Sequence, residues 1–202
     1  MAMDKYLSLI TLNVSGLNAS IKKCRIAEWM RNHDPHICCL QETHLRTKHL
    51  HRKSEGLDKK IFQANGQEKK EKARVAIPIS DKIDFKTRAI KRDPEGHFIT
   101  LKGRIHQEDM NTVNICAPKI GAPKYIRKIL EDCKKDIDRN TIIVGDFNPT
   151  VNNGSSKQNT NRDIAALNNV LDQMELTVCV CVCVCIYNLL LQCERWRTNT
   201  SC

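Results

Sequence analysis

Apolar positions recur along this chain in short runs that alternate with polar punctuation. Leu7 to Asn13 reads as a buried strand ending in polar residues, and His36 to Leu40 as a second one, closed by Gln41-Glu42-Thr43. Between them, Ile21, Cys24, Ala27 and Met30 fall at a spacing of three, which predicts a helix over Ile21–Arg31. Further strand-like runs are Lys60–Ala64, Val75–Ile79, His97–Lys102 and Thr112–Ala117. A helix is expected over Lys124–Ile137, just after Pro123, then a short strand at Thr141–Val144 and an amphipathic helix at Asn161–Gln173. Strand, helix, strand, a strand meander, then helix, strand, helix predicts an α/β sandwich with largely antiparallel sheets.

The pattern breaks at the end. Val178 to Cys185 is Val-Cys repeated without error, which no folding requirement demands. A thymine-guanine dinucleotide repeat read in frame yields alternating Cys and Val codons, so the run reads as a translated microsatellite. As a strand it would offer a row of thiols to a soft metal, but structural zinc sites space their cysteines more widely than every second residue. The expected organisation is a domain over residues 1–176 and an unrelated tail over 177–202.

Composition changes the picture in two ways. Lys and Arg outnumber Asp and Glu by 33 to 23, and this +10 balance favours a polyanionic partner such as DNA. Six of the eleven cysteines crowd into the last 24 residues and the rest are scattered through apolar runs. That is no disulfide framework, and Met1–Lys5 leads into a strand with no cleavable leader. The expectation is an intracellular protein, nuclear or cytoplasmic, with no membrane partner. The uncharged stretch 176–193 contains Asn188 and Gln192 and is short for a membrane span.

Candidate chemistry sits where apolar strands end. Asn13, Glu42, and Asp146 with Asn148 each follow such a run. Hydrolysis of a phosphodiester needs a hard cation, and Mg²⁺ takes one or two carboxylates plus waters. Glu42 suits that ligand role, with Asn13 beside it. Asp146 suits a group that orients or deprotonates the attacking water, and Asn148 suits an amide holding a phosphate oxygen. Taken singly, each is explained as well by a strand end, a surface acid or a turn.

Together with their surroundings, these segments resemble the endonuclease/exonuclease/phosphatase superfamily. Within it they are most similar to the endonuclease domain of long-interspersed-element retrotransposon proteins. The resemblance rests on Ile10-Thr-Leu-Asn13 with Gly16-Leu-Asn18, Asp34-Pro35 and Cys38-Cys-Leu-Gln-Glu-Thr-His-Leu45. It continues through Ile61–Gly66, Val75-Ala-Ile77, Ser80-Asp-Lys82, Ile90–Asp93, Glu95-Gly-His97, Ala117-Pro118, Gly121-Ala-Pro123 and Gly145-Asp-Phe-Asn148, from about residue 8 to 176. It implies a four-layered α/β sandwich of two packed sheets and Mg²⁺-dependent nicking of DNA, with Mn²⁺ as an alternative ion and no small-molecule cofactor. By family role Glu42 binds the metal, Asn13 supports the site, Asp146 positions the water and Asn148 contacts the phosphate. His44 and Lys157 are expected to touch substrate.

The sequence also departs from that pattern. Cys116 stands where the family has a tyrosine, and Arg74 where it has a glycine. Pro78 interrupts a strand pattern and is expected at a sheet edge. After Leu176 nothing resembles the family's closing aspartate and Ser-Asp-His motif, so the sandwich is expected to be incomplete at its carboxy end and cleavage weak or absent. The alternatives are a non-catalytic basic nucleic-acid-binding remnant and a superfamily phosphatase.

Overall fold

The computed structural model describes residues 7–45, 59–64, 73–138, 140–147, 165, 169 and 177–180. The expected helix at 161–173 lies almost wholly outside these, with Ala165 and Asn169 helical and exposed.

Two mixed sheets pack face to face. One has the order β1 (Leu9–Asn13), β2 (Ile37–Leu45), β4 (Ala73–Ser80), β3 (Lys59–Gln63). The other runs β5 (Lys86–Arg92), β6 (Phe98–Ile105), β7 (Glu108–Cys116), β8 (Thr141–Asp146), β9 (Thr177–Val180). β1–β2, β7–β8 and β8–β9 are parallel, so the sheets are more mixed than a meander predicts. Parallel neighbours need a crossover, and α1 (Ser20–His33) and α2 (Ala122–Cys133) supply it between β1 and β2 and between β7 and β8. β9 opens the Val-Cys run and pairs with β8 through Ile142↔Thr177 to Gly145↔Val180.

The period-two alternation of strand side chains sorts the core into three sets. Ile37, Cys39, Val75 and Ile77 of the first sheet meet Ile99, Leu101 and Val144 of the second. On the outer faces, Cys38, Leu40 and Ala76 pack on Ile26 and Met30 of α1, and Val113, Ile115 and Ile143 on Ile126, Ile129 and Leu130 of α2. The layers therefore read helix, sheet, sheet, helix: the α/β sandwich expected from sequence.

Three details depart from the sequence reading. The spacing-of-three stripe on α1 is not its buried face, because steps of three drift by about 60° each against a 3.6-residue turn. Ile21 and Met30, nine residues apart, point to opposite sides; Ile21 is 68% exposed while Ile26 and Met30 are buried. β5 was not foreseen, since Lys-Thr-Arg-Ala-Ile-Lys-Arg has no apolar period. It is an edge strand, where exposed cations discourage pairing with other chains. Pro78 sits in an interior strand rather than at an edge. β4 pairs with β3 through Ile61↔Pro78, and its register with β2 passes from Ile79 to Ala76, so the missing N–H is spared on the β2 side.

Gly145 shows how closely β7 and β8 approach. A Cβ there would lie 2.2 Å from the Ile115 carbonyl oxygen. Gly145→Ala is therefore expected to force the strands apart and lower the melting temperature by several degrees, read by thermal denaturation, at a cost of about 1–3 kcal/mol.

Candidate active site

Alternation along the strands also places the polar residues. Asn13 shares the inward parity of Leu9, Asp146 that of Val144, and Cys116 faces the inter-sheet core directly. The β7–β8 register sets Cys116 opposite Asp146, and Ala117 N–H donates to the Asp146 carbonyl at 2.9 Å. The strand ends of both sheets thus meet at one end of the gap between them.

There Asn13 Nδ2 donates to Asp146 Oδ2 at 2.7 Å, across the two sheets, with both residues buried. The other end of the amide is occupied by Ser15, whose N–H donates to Asn13 Oδ1 at 2.9 Å. This local turn fixes which way the amide points.

Glu42 arrives by a different device. The register of β2 on β4 slips between Gln41 and Leu45, and Glu42 and His44 take left-handed backbone angles of 52° and 51°. Such angles cost non-glycine residues about 1–3 kcal/mol each and persist only where surroundings enforce them. Here the loop after β1 does so: Val14, Gly16 and Leu17 N–H donate to the carbonyls of Gln41, Glu42 and Thr43. The half-buried Glu42 carboxylate has no side-chain hydrogen bond or ion pair among the described residues. His44 is half-buried, and its ring lies 3.6 Å from where a Cβ on Gly16 would stand.

Cys116 reports on the convergence. Its thiol is pushed up to about 11, first by burial, then by the negative charges of Asp146 and Glu42. A backbone hydrogen bond from Glu42 and the Arg74 guanidinium pull the other way. Asn13, Glu42, Cys116 and Asp146 therefore occupy one centre. Asn148 and Lys157 lie outside the described residues.

Two further groups line this end. His97 Nδ1 is 3.0 Å from the Cys116 carbonyl oxygen, which can only accept, so Nδ1 carries the hydrogen. Its ring tilts against Tyr125 at 5.5 Å. Burial, then the charges of Asp93 and Glu95, hold the Tyr125 phenol above its usual range, so it remains a donor.

Beneath the site, Asn114 and Gln41 are fully buried. Gln41 Nε2 donates to Asn114 Oδ1 at 2.7 Å, and Asn114 Nδ2 donates to the carbonyls of Leu40 and Ala76, both at 3.1 Å. Sequence reading missed Asn114. The available signal was a lone amide at an inward position of a central strand.

A protein-family model, described as the endonuclease/exonuclease/phosphatase family, matches the sequence over residues 10–166. The chain belongs to the endonuclease/exonuclease/phosphatase family. Solved structures share the fold at low identity. D. rerio TDP2 complexed with a single-strand DNA product is 15% identical, with a TM-score of 0.58 over 82% of this chain and 66% of that one. The endonuclease domain of TRAS1, a telomere-specific non-LTR retrotransposon, is 14% identical, with a TM-score of 0.57 over 83% and 70%. An AP endonuclease from Archaeoglobus fulgidus is 17% identical, with a TM-score of 0.57 over 83% and 70%. This family member thus spans about two thirds of the length of these proteins.

Enzymes of this family generally use divalent metal ions, and the donor set here can be tested against that. Among the described residues no three His, Cys, Asp or Glu side chains form a metal-holding group. Mg²⁺ asks for less: one or two carboxylates, with waters and substrate oxygens completing its shell. The unpartnered Glu42 carboxylate, with the Asp146–Asn13 pair nearby, fits such an ion. The thiol of Cys116 does not contribute, since Mg²⁺ is a hard ion that takes oxygen ligands. Native Cys116 is expected to resist thiol reagents at pH 8 and to react only on unfolding, as read by labelling and mass spectrometry. Ionisation is easier in the unfolded chain, so this group's effect on stability is nil below about pH 9. It turns destabilising as pH rises towards 11.

Proposed function

We propose that this protein is a divalent-metal-dependent phosphodiesterase that nicks DNA, with turnover attenuated at Cys116. The Asn13–Asp146 hydrogen bond at 2.7 Å, beside the strained and unpartnered Glu42, carries this reading. Glu42 would hold the ion, which is Mg²⁺ or Mn²⁺ and supplies neutralisation of charge on the phosphate when bound. Asp146, held in place by Asn13, orients the attacking water and accepts its proton. Asn148, Lys157 and His44 would serve as contacts to the phosphate and the neighbouring strand, the roles the family resemblance implies. Cys116, neutral and with a weak donor, cannot replace a phenol that would hold a phosphate oxygen, so the developing charge is less well stabilised.

The +10 charge and the DNA product named for the TDP2 complex support DNA as the substrate. Cys24, Cys116 and Cys133 are free thiols, which supports an intracellular location, nuclear or cytoplasmic. Among the described residues no helix is long and apolar enough to cross a membrane. We assign the family domain to residues 1–176 together with β9, Thr177–Val180, which pairs with β8, and a separate tail to the residues after it.

A second reading, non-catalytic binding of nucleic acid, is favoured by the same charge. Supercoiled plasmid with Mg²⁺ separates the two. Nicking that EDTA abolishes supports the enzyme. Binding without any nicking at high protein concentration supports the remnant.

A further inference from the structure

The slipped register of β2 leaves Glu42, Thr43 and His44 bulged opposite Arg74, because Gln41 pairs with Val75 and Leu45 with Ala73. Thr43 Oγ1 closes the bulge onto the Ala73 carbonyl at 2.8 Å. Arg74 itself lies in an ordinary strand conformation and donates its N–H to Gly96 at 3.0 Å, so the backbone needs no glycine here. Its half-buried guanidinium has no hydrogen bond or ion pair among the described residues. A guanidinium carries five donors in a planar fork; at a half-buried position water meets them, and a phosphate can replace that water in bidentate fashion.

From this rim position its charge reaches both the Cys116 thiol and the Tyr125 phenol. One end of the sandwich thus holds a carboxylate, Glu42, and a guanidinium, Arg74, that have no side-chain partner among the described residues and do not pair with each other. A phosphodiester fits this gap, since its oxygens accept the fork while any cation bound to Glu42 faces its other side.

We propose that Arg74 is a phosphate-holding residue of this centre, gripping a nucleic-acid backbone phosphate without divalent metal. The inference rests on the phosphodiesterase reading for its ligand class.

The test is binding of a fluorescein-labelled single-stranded 12-nucleotide DNA in EDTA, followed by anisotropy across a salt series. Wild type is expected to bind, and Arg74→Ala to lose about tenfold in affinity at low salt with a salt slope shallower by about one phosphate. Arg74→Lys should recover part of the loss. Lys82→Ala, at the other end of the strands, should change nothing. Competition by millimolar inorganic phosphate as strong as by unlabelled DNA would mark a free-phosphate site and overturn the nucleic-acid assignment. Equal affinities for wild type and Arg74→Ala would overturn the proposal outright.

Mn²⁺ binding, read by electron paramagnetic resonance, keeps the two readings apart. Glu42→Gln that weakens Mn²⁺ while Arg74→Ala leaves DNA affinity intact sinks the Arg74 role alone. Glu42→Gln that leaves Mn²⁺ binding unchanged, while Arg74→Ala weakens DNA binding, sinks the metal centre and supports the Arg74 role.

Discussion

Replacing Glu42 by glutamine is expected to cut Mg²⁺-dependent plasmid nicking by about a thousandfold, with folding intact. The change keeps the shape of the side chain and removes its charge, so the bulge and its three backbone hydrogen bonds persist. What goes is the one described carboxylate at this centre with no protein partner. Charge stabilisation by a bound divalent ion is worth several kcal/mol, and about 4 kcal/mol corresponds to a thousandfold. Asp146→Asn should fall comparably, because an amide accepts no proton from water. Its expected signature differs: metal affinity should hold better than in Glu42→Gln, since Asp146 is engaged by Asn13. Nicking rates at saturating Mg²⁺ and calorimetric metal titrations check both. Undiminished nicking by Glu42→Gln would remove the mechanism proposed here.

The largest effect on stability is expected at Asn114. Replacing it with leucine removes three buried hydrogen bonds: the donors to the Leu40 and Ala76 carbonyls and the acceptor of Gln41 Nε2, which keeps only Thr11 Oγ1 and the Cys39 carbonyl. Each buried hydrogen bond lost costs about 1 kcal/mol net, and the branched leucine does not match the slot shaped for the amide. A net loss of about 3 kcal/mol lowers the melting temperature by roughly 6–12 °C for a chain of this size. Because Gln41 adjoins Glu42, the variant should also lose activity more steeply than stability on warming. Thermal melts followed by circular dichroism, with nicking assayed in parallel, test this. A melting temperature within a degree of wild type would mean that the amide clamp contributes nothing.

Much of the layout was legible in the residues. Runs such as Ile37–Leu40 and Thr141–Val144 announce strands buried on both faces, and Asn13, Glu42 and Asp146 stand at the ends of such runs. The spacing-of-three stripe on α1 misled, since local periodicity says nothing about which neighbour a face meets. β5 was invisible because an edge strand with solvent on one side needs no apolar pattern.

Alone, the chain determines its alternating apolar runs, its basic balance and the order of its chemical groups, since these are properties of composition and spacing. It cannot determine that residues 13 and 146 share a hydrogen bond, because no local preference reaches across 133 positions. That contact exists because two sheets, each twisted and paired in register, bring their strand ends to one place. Likewise Glu42 stands out in the sequence as a carboxylate at a strand end, but only the loop after β1 binds the bulge and holds its backbone in a conformation it would not choose. The pairing of sheets, not any short segment, makes the centre, because only tertiary packing can offset the strain and desolvation of gathering buried polar groups.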